Sequence, residues 1–168
     1  MTRRKLRRFA SRVNPRRATL VDAQGMAEAH VASWQAAYRG LLPDTVLNNL
    51  SIPERRAMWE SRLAKGEANL WVTESGGRVS GFISCCPSRD ADLPPPEFAE
   101  ISALYVRPEA WGTGCGYALA QAAFADLRKT PARTALVWVL TANARARRFY
   151  ERTGFAPEGG ARDITLFN

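Results

Sequence analysis

The chain has 168 residues, 46% of them hydrophobic and 24% charged, a globular balance that excludes disorder, collagen and coiled coil and fits one domain of ordinary size. Its formal net charge of +8 resembles a nucleic-acid or membrane signature until it is placed along the chain. Residues 1–17 carry eight basic side chains (Arg3, Arg4, Lys5, Arg7, Arg8, Arg12, Arg16, Arg17) and no acid, whereas from Ala18 onward 16 basic residues balance 16 acidic ones. The sequence therefore predicts a flexible basic arm over residues 1–17 and a single neutral domain over 18–168.

In chain order, Ala18 to Arg39 reads as a short strand entry and then a helix that ends at Gly40. His30, Trp34 and Tyr38 recur at i, i+4, i+8, so they share one helical face. Leu41–Leu50 and Pro53–Lys65 read as two further helical pieces, the second bounded by Pro53 and Gly66. The pattern then changes. Asn69–Glu74 and Arg78–Cys86 read as strands joined by a Ser75-Gly76-Gly77 hairpin turn, and Pro87–Glu97, with three consecutive prolines, as a loop. Phe98–Val106 is a third strand. Trp111-Gly112-Thr113-Gly114-Cys115-Gly116 follows it and opens an alanine-rich helix over about Tyr117–Lys129. Thr134–Leu140 is near-continuously apolar, as in a strand buried on both faces. Asn143–Thr153 reads as a last helix, with one or two short strands expected in Phe155–Asn168. A β-meander followed by βαβα indicates an α/β domain with a mixed sheet.

The strand–turn–helix around Gly112, Gly114 and Gly116 has the form of an anion site. Glycines let the backbone approach a ligand, and free N–H groups at the positive end of a helix suit a phosphate or pyrophosphate. A tight connection is the plainer alternative. Two nucleotide readings fail: no Lys follows the glycines as a P-loop requires, and Tyr117 stands where the third glycine of GxGxxG belongs.

With these residues in hand, the chain resembles the GNAT acetyltransferase superfamily, bacterial type. The family pattern [QR]-x-x-G-x-[GA] is similar to Trp111-x-x-Gly114-x-Gly116, with Trp111 in place of the usual Gln or Arg. The later N-x-x-A-x-x-[FL]-Y-x-x-x-G-F pattern runs from Asn143 to Phe155, and His30 to Pro43 resembles the first helix of many bacterial members. The resemblance implies a mixed, mostly antiparallel twisted sheet flanked by helices, with acetyl-CoA held where the central strands splay. It implies direct transfer of an acetyl group to a primary amine of a small molecule or peptide.

The residues carry over as follows. Gly112, Thr113, Gly114, Cys115, Gly116 and Tyr117, with Trp111, would clamp the pyrophosphate through backbone amides. The free backbone of Leu104, Tyr105 and Val106 would bind pantetheine and polarise the thioester carbonyl. Tyr150 is the candidate acid, since a phenol of pKa near 10 can protonate a departing thiolate of pKa near 8.5. Asn143, two helical turns earlier, would hydrogen-bond the cofactor where Tyr150 reaches its sulfur.

Glu100 is the candidate base, directly or through a water. It stands 11 residues before Trp111, the offset of the base in the histone-acetylating branch. Burial in an apolar strand would raise its pKa, and a solvated, outward-facing Glu100 is the alternative. Trp138 stands where the branch acting on ribosomal protein N-termini places a Glu, which counts against that base arrangement. His30, Trp34 and Tyr38 are the candidate acceptor-site residues, with a core role as the alternative. Arg145, Arg147, Arg148 and Arg152 read as a solvated face, one of them a candidate for the cofactor's 3′-phosphate.

Other readings are a protein acetyltransferase acting on N-termini or lysines, a non-catalytic acetyl-CoA sensor, and a nucleic-acid binder acting weakly through the arm. Adjacent Cys85 and Cys86 are poor disulfide partners, Cys115 lies in the turn, and His30 has no partner for a metal site. No run approaches the ~18 apolar residues of a membrane helix, and no secretion signal follows the arginines. A reduced, cytoplasmic protein without metal or membrane partner is expected. The acceptor and the oligomeric state, with a homodimer among the options, are open.

Overall fold

A computed structural model of the chain describes residues 13–158 and Gly160. The arm over residues 1–12 and the strands expected at the C-terminal end, in 161–168, lie outside the described residues. The chain divides into two compact units, Met1–Trp138 and Val139–Asn168.

In the first unit five strands form one sheet in the order β1-β2-β3-β4-β5. These are β1 (Arg16–Arg17), β2 (Asn69–Ser75), β3 (Arg78–Pro87), β4 (Phe98–Val106) and β5 (Thr134–Leu136). The first four pair antiparallel and β5 runs parallel to β4, so the sheet is mixed, as expected. Gly76 and Gly77 close the β2–β3 hairpin at φ +59 and +73, the two left-handed residues of a tight two-residue turn.

The helices lie on both faces. On one face α1 (Ala23–Ala37) and α3 (Ile52–Lys65) pack together, joined through the short α2 (Asp44–Asn48). Met26, Trp59, Leu70, Val72 and Phe82 are fully or nearly fully buried between them and the sheet. On the other, α4 (Cys115–Leu127) buries Leu119, Ala120 and Ala123, and its Asp126 accepts from Trp71 Nε1 at 2.8 Å. The start of α3 follows its sequence signals: Ser51 Oγ accepts from Glu54 N–H, and Pro53 stands in the first turn.

Two boundaries differ from expectation. Arg16 and Arg17, counted with the arm, pair with Val72 and Trp71 and are ion-paired to Asp22, Glu74 and Asp126. Acids of the body thus draw two arginines of the basic run into the sheet. The apolar run Thr134–Leu140 is strand only to Leu136 and is half-buried, with Trp138 exposed. Among the described residues β5 is the last strand, with β4 alone as neighbour, so it is not enclosed as a central strand is.

Candidate functional site

The glycine turn joins β4 to α4 through a single 3-10 turn at Pro108–Ala110. Gly112 and Gly114 sit at φ +76 and +91, a region that L side chains rarely adopt, and a Cβ at either would meet nothing within 4 Å. Conformation, not crowding, demands glycine there. The N–H groups of Trp111 and Thr113 bond to the carbonyls of Pro108 and Ala110. Those of Gly112, Gly114, Cys115, Gly116 and Tyr117 have no acceptor among the described residues, and the last three open α4. The helix starts at Cys115, earlier than expected, which adds its dipole to these amides. Cys115 turns its thiol inward, 3.0 Å from Thr73 Oγ1, whereas Tyr117 is exposed. Trp111 does not reach outward as a Gln or Arg could: its indole N–H donates to the Val106 carbonyl at 2.7 Å and ties the turn to the end of β4.

β4 carries the second part. Its ladder with β5 covers only Phe98–Glu100 against Thr134–Leu136, while its pairing with β3 continues to Val106. Among the described residues, Ile101–Val106 therefore have a strand on one side only, so the two strands separate beside Leu104, Tyr105 and Val106. Gly81 of β3 permits the close approach of this end to α4, since a Cβ there would lie 3.0 Å from the Tyr105 carbonyl and 3.1 Å from Cys115 Sγ.

A bulge interrupts the alternation of β4. Ser84 pairs with Ala103 but Cys85 pairs with Ile101, so Ser102 is an extra residue. Strict alternation would put Glu100 and Tyr105 on opposite faces; the extra residue puts both on the α1–α3 face. Glu100 is buried, and its carboxylate accepts from Arg89 N–H, Nε at 3.0 Å and a terminal guanidinium nitrogen. This overturns the solvated alternative. It also replaces the expected carboxylate among apolar groups with one that a guanidinium holds bidentately. Arg89 is held above its ordinary range by this contact, and its side chain stays 56% exposed.

The third part is aromatic. His30 stacks on Tyr105 with ring centroids 4.4 Å apart and lies 5.5 Å from Trp34, which packs edge-on to Tyr38 at 5.0 Å. The three expected α1 residues and Tyr105 thus form one cluster. Trp34 and Tyr38 are half-buried; His30 is buried and accepts from Trp59 Nε1 of α3 at 3.3 Å. Burial, then the charges of Arg55 and Arg62, pushes the imidazole down to about 3, so it is neutral near pH 7. Burial pushes the Tyr105 phenol up to about 12. Trp59, Arg55 and Arg89 were missed in the sequence reading. Arg55, Trp59 and Arg62, at i, i+4, i+7, carried the signal for the first two as one helical face.

The second unit holds α5 (Ala144–Arg152). Asn143 caps it, its Oδ1 accepting from Ala146 N–H at 3.0 Å. Tyr150 is half-buried, with Phe149 and Phe155 edge-on at 5.3 and 5.5 Å. Arg145, Arg147, Arg148 and Arg152 are exposed. Among the described residues no helix is long and apolar enough to cross a membrane.

Comparison with known proteins agrees with this geometry. Residues 31–155 match the model of the acetyltransferase (GNAT) family. An uncharacterised N-acetyltransferase of Bacillus subtilis is 31% identical over 151 residues, covering 90% of this chain and 83% of the relative. A probable N-acetyltransferase of Mycobacterium tuberculosis is 28% identical over 151 residues, 89% of this chain and 83% of the relative. Among solved structures, the PaiA N-acetyltransferase of Thermoplasma acidophilum, crystallised with coenzyme A, aligns at TM-score 0.74 and 19% identity over 89% of this chain and 92% of that one. A GCN5-related N-acetyltransferase of Ralstonia eutropha aligns at TM-score 0.71 and 22% identity, over 92% and 99%. The chain belongs to the GNAT acetyltransferase family.

Proposed function

We propose that this protein is an acetyl-CoA-dependent N-acetyltransferase acting by direct attack on a primary amine of a small molecule or peptide, in a reduced cytoplasm. The observation that carries the reading is the row of unpaired N–H groups at Gly112, Gly114, Cys115, Gly116 and Tyr117, beside the one-sided end of β4. Five donors at the positive end of α4 fit a pyrophosphate without a basic side chain. The absence of side chains at Gly112 and Gly114 keeps that approach open. Bound there, acetyl-CoA would supply the activated acetyl group. The Leu104 N–H and C=O, turned away from β3 and without a β5 partner among the described residues, orient the thioester by hydrogen bonding, while the Tyr105 backbone pairs with Phe82 of β3. Val106 contributes its N–H side alone, its carbonyl being held by Trp111.

The protons are assigned to two residues. Glu100 receives the proton of the amine at a carboxylate oxygen, through a water or once Arg89 swings out. Tyr150 holds a proton at Oη for the departing sulfur, with the Asn143 amide nitrogen positioning the same ligand. A thiol-release assay over a panel of amines tests the reading. Tyr150→Phe is expected to lower kcat by about 10²–10⁴-fold with acetyl-CoA affinity kept, since general-acid catalysis acts in the transition state. Glu100→Gln should move the basic-side pH dependence toward the amine's own pKa. Unchanged kcat removes Tyr150 from the acid role. Tight coenzyme A binding with no turnover of any amine favours the sensor.

A further inference from the structure

The α1–α3 wall contains two buried hydrogen-bond donors that find no acceptor among the described residues. Trp59 Nε1–H donates into His30 Nδ1, so Nδ1 holds a lone pair and the imidazole proton is on Nε2. Neutral imidazole is the form that burial enforces. That Nε2–H is buried and has no acceptor among the described residues. Arg55 stands one helical turn before Trp59 on α3, and its Nε–H is likewise buried without an acceptor. A buried donor left unpaired costs about 1–3 kcal/mol, so two of them on one wall call for a ligand acceptor. Nor is the wall's charge compensated. Neither Arg55 nor Arg62, whose guanidinium lies 5.2 Å over the Trp59 ring, is ion-paired to a described carboxylate. The nearby buried acid on β3–β4, Glu100, already holds Arg89.

We infer that this wall is an anion-reading subsite, and that the acceptor is an amine carrying a carboxylate, bound by Arg55 and by His30 Nε2–H. The inference rests on the acetyltransferase reading for the acceptor's presence beside Tyr105, and it deepens that reading. The two ends of such a molecule meet opposite chemistry: Glu100 takes the amine's proton, and Arg55 fixes the carboxylate. Trp34, Tyr38 and Tyr105 enclose the part between, and an aromatic enclosure strengthens the charged contact by excluding water. An acceptor of polyamine type, with a cation where the carboxylate would lie, is repelled.

The test uses the full chain and matched amines that differ by a carboxylate alone: phenylalanine and 2-phenylethylamine, tyrosine and tyramine, lysine and cadaverine. By thiol release, kcat/KM should favour the carboxylate member by about 10- to 100-fold, the worth of a charge-assisted hydrogen bond. Arg55→Gln should shrink that ratio to about threefold or less, and Arg55→Lys, which keeps the charge and loses Nε–H, should retain part of it. A purely structural role for Arg55 would slow both members alike and leave the ratio. A wild-type preference for the decarboxylated amines, or a ratio unmoved by Arg55→Gln, overturns the inference while the acetyltransferase reading stands. If no amine is turned over, that reading falls, and thermal unfolding with phenylacetate alone decides the subsite. A rise in Tm for wild type that Arg55→Gln abolishes supports the subsite, and no rise overturns it.

Discussion

The glycine turn and the α1–α3 wall recognise ligands in opposite ways. At the turn, five main-chain N–H groups project from a backbone that glycines permit and a helix polarises. No side chain there is charged. At the wall, recognition is by side chains: an imidazole whose Nε2–H has no acceptor among the described residues, stacked aromatics, and two guanidiniums without a described carboxylate partner. Main-chain recognition depends on a conformation, so many sequences can build it, and the turn fits a donor shared across a family. Side-chain recognition depends on which residues stand at a few helical positions, so it is where one member differs from the next. The +8 net charge belongs to neither mode: the turn is uncharged, and the two arginines that matter at the wall lie in the neutral body.

The most disruptive way to test the contrast is Gly114→Val. At φ +91 a β-branched residue is strained by about 1–2 kcal/mol, and nothing crowds its Cβ, so the change acts on conformation alone. Displacing the amides of Gly114 to Gly116 should weaken coenzyme A binding by tenfold or more, roughly the strain converted at 1.4 kcal/mol per decade, with unfolding shifted by a similar energy. Calorimetric titration with coenzyme A reads the first and urea unfolding the second. Unaltered affinity would mean that side chains elsewhere hold the pyrophosphate, and the turn would lose its role.

The same division explains what could be read from the sequence. Turn and strands follow local rules, and β4 has the bounds that its apolar run and Arg107-Pro108 indicate. The wall depends on relations between distant segments. His30, Trp34 and Tyr38 were visible as a face, but His30's partner Trp59 lies on another helix, 29 residues away. The face of Glu100 was hidden for a subtler reason, because one bulged residue, Ser102, inverts the parity of everything before it. Its guanidinium partner comes from a loop that pattern reading leaves shapeless. The arm's last two arginines were misread because a charge run says nothing about acids that meet it across the sheet, here Asp22, Glu74 and Asp126.

A pH series separates the two regions without touching the turn, whose amides do not titrate. His30 is neutral in the fold to about pH 3 but takes a proton near 6.5 once unfolded. The unfolded state therefore binds more protons below pH 6.5, and stability falls as the solution is acidified, by up to about 1.4 kcal/mol per pH unit. Asp22 and Glu28, both held low by arginine and hydrogen-bond partners, lose their stabilisation only below their ordinary values of 3.8 and 4.5. The window from pH 6.5 to 4.5 thus isolates His30 among these groups. Urea unfolding should show a loss of about 2 kcal/mol across it. His30→Phe should flatten that slope, although the lost Trp59 contact lowers stability at every pH. A slope unchanged in His30→Phe would mean that groups other than the chain's single imidazole carry the pH dependence.

The smallest effect is expected at Trp111, where the two modes of recognition come closest. Its indole is, beside the exposed Tyr117, one of two large side chains in the clamp, and it donates to the Val106 carbonyl. Trp111→Phe keeps a ring and removes the bond to the Val106 carbonyl, so it should cost about 1 kcal/mol of stability. If the clamp is main chain alone, coenzyme A affinity should stay within about threefold of wild type, since less than 1 kcal/mol reaches the ligand. A tenfold loss would show that the tie between the turn and β4 holds the amides in their binding conformation. The turn would then need a side chain as much as the wall does, and the contrast between them would shrink to one of distance from the ligand.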